Sequence, residues 1–232
     1  MAVVATPAAR EWRLPTTLRR GLILAPPLVL ALYEIAHPRP ELNAEAVMDV
    51  AGWFALFHAV QLVLFPFLVL SIALLADELG VLGHWVTRVA LAGVLAFFSA
   101  YDAIAGIATG LAMRSGRDLS AAEQNAIWET VKDWPGFDPS VFSIGIVAVV
   151  ALAAAIAMLF VGARRLRVGR VPVVLLGIAA VVALGGHPFP FGTVAFGALF
   201  LAALWLDRRG YGDRTAEPNA TENARHQMTT VS

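Results

Sequence analysis

Trp53–Ala76 reads WFALFHAVQLVLFPFLVLSIALLA, an apolar run interrupted only by His58, Gln61, Pro66 and Ser71. It is the body of a stretch, Ala51–Ala76, that meets the length of roughly 20 mainly apolar residues needed to cross a bilayer as a helix. Five more stretches follow the same pattern. They are Gly21–Ala36, with Pro26 and Pro27 near its start, then Val86–Met113, Val141–Ala163, Val171–Gly186 and Phe189–Leu206. The last two are short and meet in a tight turn, GGHPFPFG at residues 185–192, so they read as a hairpin of two spans or as one broken re-entrant unit. The expectation is an all-α, polytopic transmembrane bundle of six spans over residues 19–206. A cytoplasmic segment, 1–18, precedes it, and a cytoplasmic tail, 207–232, polar and disordered by its composition, follows it.

Composition agrees with this reading. Of the 232 residues, 59% are hydrophobic and 15% charged, against about 45–50% and about 25% in soluble domains. Mean hydropathy is +0.72. The formal net charge is zero, so nothing in the charge balance points to nucleic acid, and the lipid bilayer is the expected partner. The chain contains no cysteine. Disulfides, thiolate nucleophiles, thiolate-ligated zinc and iron–sulfur clusters are therefore excluded, and any metal must be held by His, carboxylate, Met or backbone ligands.

Arginine and lysine give the bundle a direction. With the N-terminus inside, Arg10, Arg13, Arg19, Arg20, Arg88, Arg164, Arg165, Arg167, Arg170, Arg208, Arg209, Arg214 and Arg225 fall on one side, and only Arg39, Arg114, Arg117 and Lys132 on the other. The rule that basic loops stay in the cytoplasm then places both termini inside a cell membrane crossed several times. Arg19-Arg20 before an apolar run also resembles a twin-arginine signal, but no small-residue cleavage site follows it. Two loops face outward. Pro38–Val50 is short and acidic. Arg114–Ser140 contains DLSAAEQNAIWETVKDW at residues 118–134, in which Ser120 and Glu123 form a capping box for a helix near 120–133. Ala121, Ile127, Trp128, Val131 and Trp134 give that helix an apolar face for the membrane surface, as a connector or as a lid over an entrance.

Ionisable groups inside a bilayer are costly and start the search for a site. Asp102 lies well inside the third span, on a stripe of small and polar residues with Ser99, Gly106, Thr109 and Gly110, a face that meets protein rather than lipid. It reads as a site residue or as a protonated strut between helices, with Tyr101 beside it and turned away. His58, with Gln61 one turn deeper, sits at a comparable depth on the second span. Glu34 and His37 end the first span, and His187 opens the last outer turn. Both rim histidines precede proline, so His37-Pro38 and His187-Pro188 also read as plain turns. Orientation gathers these scattered residues into one outward-facing polar site, with Asp102 and His58 as the chemical pair and Glu34, Gln61 and Tyr101 as binding groups.

Three histidines with a carboxylate, His37, His58, His187 and Asp102, suit Zn²⁺ or Cu²⁺ in the absence of cysteine. No local pair such as HExxH is present. Haem is a weaker fit, since the histidines share one depth. The leading expectation is a metal-binding membrane enzyme acting on a lipid or other apolar substrate. A metal-free version uses Asp102 as acid and His58 as base. A small proton-coupled transporter, functioning as a homo-oligomer and using Pro26, Pro27 and Pro66 to break helices, is an alternative, and a structural subunit is another.

The stretches YEIAHPRP (33–40), WFALFHAVQ (53–61), YDAIAGIATG (101–110) and GGHPFPFG (185–192) together resemble a group of uncharacterised bacterial six-span membrane proteins. That resemblance covers most of the membrane part and implies the fold, with no activity attached. In residue types alone the chain is also similar to seven-span metal-dependent hydrolases of the ceramidase type, from which it departs in span number and motif order.

Overall fold

The computed structural model describes residues 14–41, 43–134 and 143–209. The expectations for Arg10, Arg13, Arg214, Arg225 and the polar tail beyond 209 lie outside the described residues.

All regular elements among the described residues are helical. Helix α1 spans Thr16–Tyr33 and runs into a short 3₁₀ turn, Glu34–Ala36. Helix α2, Ala44–Glu78, is capped by Asn43, whose side chain accepts the Ala46 N–H at 2.9 Å. Helix α3 is continuous from Trp85 to Ser115 and contains a π-helical segment, Asp102–Ala108. Helix α4 covers Ala121–Lys132, α5 Ile144–Arg165, α6 Arg170–Ala183 and α7 Phe191–Arg208.

Four of these, α2, α3, α5 and α7, are long and apolar enough to cross a membrane, which suggests a membrane protein. The six expected spans are thus met by four candidates. Helix α6 has 14 residues, about 21 Å at 1.5 Å per residue and short of a hydrocarbon core of about 30 Å. Helix α1 carries Arg19 and Arg20 within its first two turns, which dilutes its apolar character. Helix α2 is longer than expected, because Ala44–Val50 join it instead of forming a loop.

The prolines do not break their helices. Pro27 has no N–H to offer the carbonyl of Ile23, and the Ser71 hydroxyl of α2 donates to that carbonyl at 2.7 Å. A freed backbone acceptor inside an apolar bundle is thus met by a neighbouring helix. Pro66 likewise lies inside an unbroken α2.

Small residues let the helices approach. The core includes Ala148, Ala155, Ala163, Ala179, Ala195 and Ala202, all almost fully buried, in keeping with the way helices pack where lipid offers no hydrophobic drive. A methyl added to Gly93 would lie 3.0 Å from Ala151 Cβ, and one on Gly162 would lie 2.9 Å from Leu79 O.

The two ends of the bundle differ in chemistry. At one end Arg19 donates to Glu78 (3.0 Å) and Asp77 (3.3 Å), Arg20 pairs with Asp207, and Arg165 meets His84 at 3.2 Å. The start of α1, the ends of α2, α5 and α7 and the start of α3 therefore lie together. The opposite end holds His37, His58 and His187.

Helix α4 docks on the bundle. Trp128 and Val131 are buried, and Trp128 joins Ala44, Val47, Met48 and Met113, while Ala121, expected on its apolar face, is exposed. The capping box is formed: Ser120 Oγ accepts the Glu123 N–H, and the Ser120 N–H donates to Glu123 Oε2 at 2.8 Å. Hydrogen bonds from the Ser120 hydroxyl and N–H hold the Glu123 carboxyl below its ordinary pKa. A depressed carboxylate contributes stability that is complete above its unfolded value and is lost as pH falls through the folded one. The protection factors of the α4 amides, exchange rates corrected for their intrinsic pH dependence, are therefore expected to fall on acidification below the ordinary glutamate range. Ser120→Ala is expected to remove about 1 kcal/mol of local protection at neutral pH. Protection factors in α4 that are the same in both proteins and at neutral and acidic pH would contradict the box.

Candidate metal centre

The site is built on the pairing of α2 with α3. Phe65 and Phe98 stack with centroids 4.4 Å apart and planes at 18°. About two and three turns further along α3, a methyl on Gly106 would fall 2.1 Å from His58 Cγ, and one on Gly110 would fall 2.7 Å from Ala51 O and Ala55 N. Only glycine leaves room for the imidazole. The same antiparallel register carries Asp102 level with Gln61. Asp102 also begins the π-helical segment, in which Thr109 Oγ1 donates to Ile104 O, five residues back, at 3.1 Å. π-Helical turns are rare and recur at functional sites.

Three histidines converge there from three segments. Suitable ring nitrogens of His37, His58 and His187 all lie within 4.8 Å of one another. The ring centroids are 5.3 Å apart for His37 and His58, 5.0 Å for His37 and His187, and 6.1 Å for His58 and His187. His58 and His187 are buried, His37 half-buried. Their turns explain the positions. His37 takes an extended conformation (ψ 123°), as a residue before proline must. His187 follows Gly186, whose φ of +90° turns the chain inward.

Hydrogen bonds set the tautomers of two of the rings. His58 Nδ1 lies 2.8 Å from Phe54 O, and His37 Nδ1 lies 2.8 Å from Pro38 O. A carbonyl only accepts, so Nδ1 carries the proton on both rings and Nε2 keeps its lone pair. His187 Nδ1 stands 3.5 Å from Glu34 Oε1 and 3.2 Å from Gln61 Nε2, and Gln61 donates to Glu34 Oε1 at 2.6 Å. The Gln61 amide nitrogen only donates, so His187 Nδ1 accepts from it and the neutral ring carries its proton on Nε2. A ring N–H given to a carbonyl or carboxylate is the usual support of a metal-binding histidine.

Six buried side-chain atoms without a hydrogen-bond partner among the described residues belong to this cluster: Glu34 Oε2, His37 Nε2, Gln61 Oε1, both carboxylate oxygens of Asp102, and His187 Nε2. Each such atom costs on the order of 1–3 kcal/mol. Five of them act as acceptors, and His187 Nε2 becomes one on a change of tautomer, a set that suits a cation with its bound water.

The expected residues are distributed as follows. His37, His58 and His187 form the trio, and Asp102 stands outside it, on the facing helix. Glu34 is fully buried beneath His187 rather than at the rim, and Gln61 links the two. The Tyr101 ring lies 5.8 Å from that of His187. Tyr101 and His187 also line a cleft of about 310 Å³ with Phe98, Gly145, Leu184 and Gly186, between α3, α5 and the α6–α7 turn. Sequence reasoning missed this cleft and the aromatic floor of Phe65 and Phe98, because both arise from helices distant along the chain. Gly106 was visible as part of the small-residue stripe, without its role as the seat of His58. No protein-family model, curated protein or solved structure matches the chain, so the reading of this site rests on its own geometry.

Gly106→Ala is expected to displace His58 and to destabilise the protein by about 1–3 kcal/mol, the usual cost of overpacking. Thermal unfolding in detergent checks this. An unchanged melting temperature would mean that the ring does not rest on Gly106.

Proposed function

We propose that this chain is a multi-pass cell-membrane enzyme whose His37, His58 and His187 hold a zinc or copper ion, and that it acts on a lipid or another apolar substrate. The carrying observation is the convergence of the three imidazoles within 4.8 Å, with Nδ1 engaged on His37 and His58 by backbone carbonyls. An all-nitrogen donor set without thiolate fits Zn²⁺ and Cu²⁺. Three protein ligands leave a fourth position open, as catalytic zinc requires and structural zinc does not. An ion so held supplies an activated water or polarises a carbonyl.

The chain's own residues take the remaining roles. Gln61 donates to both Glu34 Oε1 and His187 Nδ1 and so fixes the orientation of the two side chains beside the trio. Asp102, buried and without a hydrogen-bond partner among the described residues, is the proton acceptor nearest to hand on the facing helix. The cleft beside Tyr101 and His187, walled by Phe98, Leu184 and glycines, admits an apolar group to the edge of the site.

Elemental analysis of protein extracted from native membranes is the direct test. Roughly one equivalent of zinc or copper is expected in the wild type, with the content of His58→Ala and His187→Ala falling below about a tenth of that. Protons compete with the metal for imidazole nitrogen, so occupancy is expected to fall as pH is lowered. Asp102→Asn is expected to keep the metal and lose turnover. A wild type without metal would overturn the reading, and an active Asp102→Asn would return that residue to a structural strut.

A further inference from the structure

The end of the bundle remote from the histidines carries a second built feature. It begins with the sequence RRLRVGR at residues 164–170. Helix α5 ends in a tight cap, in which the N–H of Arg167 donates to Arg164 O and that of Val168 donates to Ala163 O, both at 3.2 Å. This cap holds Arg167 in the left-handed region, at φ 52°, and throws its side chain clear of the helix. Gly169 then starts α6 with φ +112° and no side-chain cap for the first N–H groups. It packs on the indole of Trp205, where an added methyl would lie 3.0 Å from Cη2. Arg209 lies over the same indole, 4.6 Å from its centroid.

Arg167, Gly169, Arg170, Val171, Trp205 and Arg209 thereby wall a cleft of about 420 Å³ whose lining, among the described residues, includes no carboxylate. The contrast with the neighbouring cations is informative. At the same end of the bundle Arg19 is matched by Glu78 and Asp77, and Arg20 by Asp207. Among the described residues no ion pair involves Arg167 or Arg170. Three guanidinium groups, an uncapped helix start and an indole converge, and each of the first two favours an anion. Exposed Val171 lines the cleft, and exposed Leu166 directly precedes Arg167 in the chain, apolar surface which a free ion would not use and a lipid would. Tryptophan beside arginine is also the side-chain pair of a membrane–water interface.

We propose that this cleft binds the phosphate headgroup of an anionic bilayer lipid. Arg167 and Arg170 grip the phosphate oxygens, the start of α6 faces the same charge, and the acyl chains run along the apolar rim. The site is independent of the metal centre, and it would stand if that centre proved to be empty.

Native mass spectrometry of the full chain in detergent tests it, with phosphatidylglycerol, phosphatidylcholine and inorganic phosphate as probes. Wild-type protein is expected to retain phosphatidylglycerol over phosphatidylcholine. Arg167→Asn combined with Arg170→Gln is expected to weaken that retention by roughly tenfold or more; Asn is chosen because it tolerates the left-handed backbone. Arg164→Gln combined with Arg208→Gln removes the same charge outside the cleft and is expected to leave retention unchanged. Equal loss in both double variants, or no preference between the two lipids, would overturn the proposal. Competition by inorganic phosphate at equal concentration would also overturn it, by making the ligand a free anion. Should the first variant fail to fold, added salt decides on wild-type protein. Phosphatidylglycerol retention is expected to fall with ionic strength while phosphatidylcholine retention holds, and a parallel response would count against the site.

Discussion

The seat of His58 on the bare backbone of Gly106 governs how α2 and α3 lie together, and most of the candidate site follows from it. A side chain at Gly106 would push the helices apart, and the Phe65–Phe98 stack below and the Ala51–Gly110 contact above would both open. With the register as it is, Gln61 comes level with Asp102, and the Gln61 amide reaches Glu34 on one side and His187 on the other. One steric constraint thus sets Gln61 where it joins Glu34 and His187, with Asp102 across from them. The π-helical turn at Asp102–Ala108 includes Gly106, so the irregularity of α3 coincides with the seat of His58.

Polar groups inside the bundle fall into two kinds. The backbone is carefully satisfied, to the point that Ser71 supplies the hydrogen bond that Pro27 withholds from Ile23. Around the histidines the opposite holds, and unpartnered acceptors accumulate. A bundle able to mend a single broken backbone bond has no physical reason to tolerate several unmet side-chain acceptors in one place. The imbalance is what a binding centre requires and what a structural core avoids.

The two ends divide labour by charge. One gathers carboxyl and imidazole groups in burial, where a bound cation would be held strongly. The other gathers arginines at the surface, some locked to carboxylates that tie α1, α2 and α7 together and some left facing a cleft. In the first case geometry makes the ligand set, and in the second it leaves charges unused. The same helices serve both, because α5 and α7 end where the arginines lie and α6 and α7 are joined by the turn that delivers His187.

Apolar length and composition alone pointed to a helical chain with candidate membrane spans, since runs such as 53–76 have the length and apolarity of a bilayer crossing. The small-residue stripe around Asp102 and the capping box at Ser120 were legible for the same reason, being local patterns of spacing. The number of spans was not, because it depends on where the short helix α6 begins and ends and on how Arg19 and Arg20 weigh within α1. The candidate site was legible as a list of residue types and a shared depth. Which of them meet was decided by tertiary structure. Glu34 turns inward, His187 folds under its own loop, and Asp102 remains across from the histidine trio, because interhelical register and the glycine conformation at Gly186 act over distances that spacing along one helix cannot express.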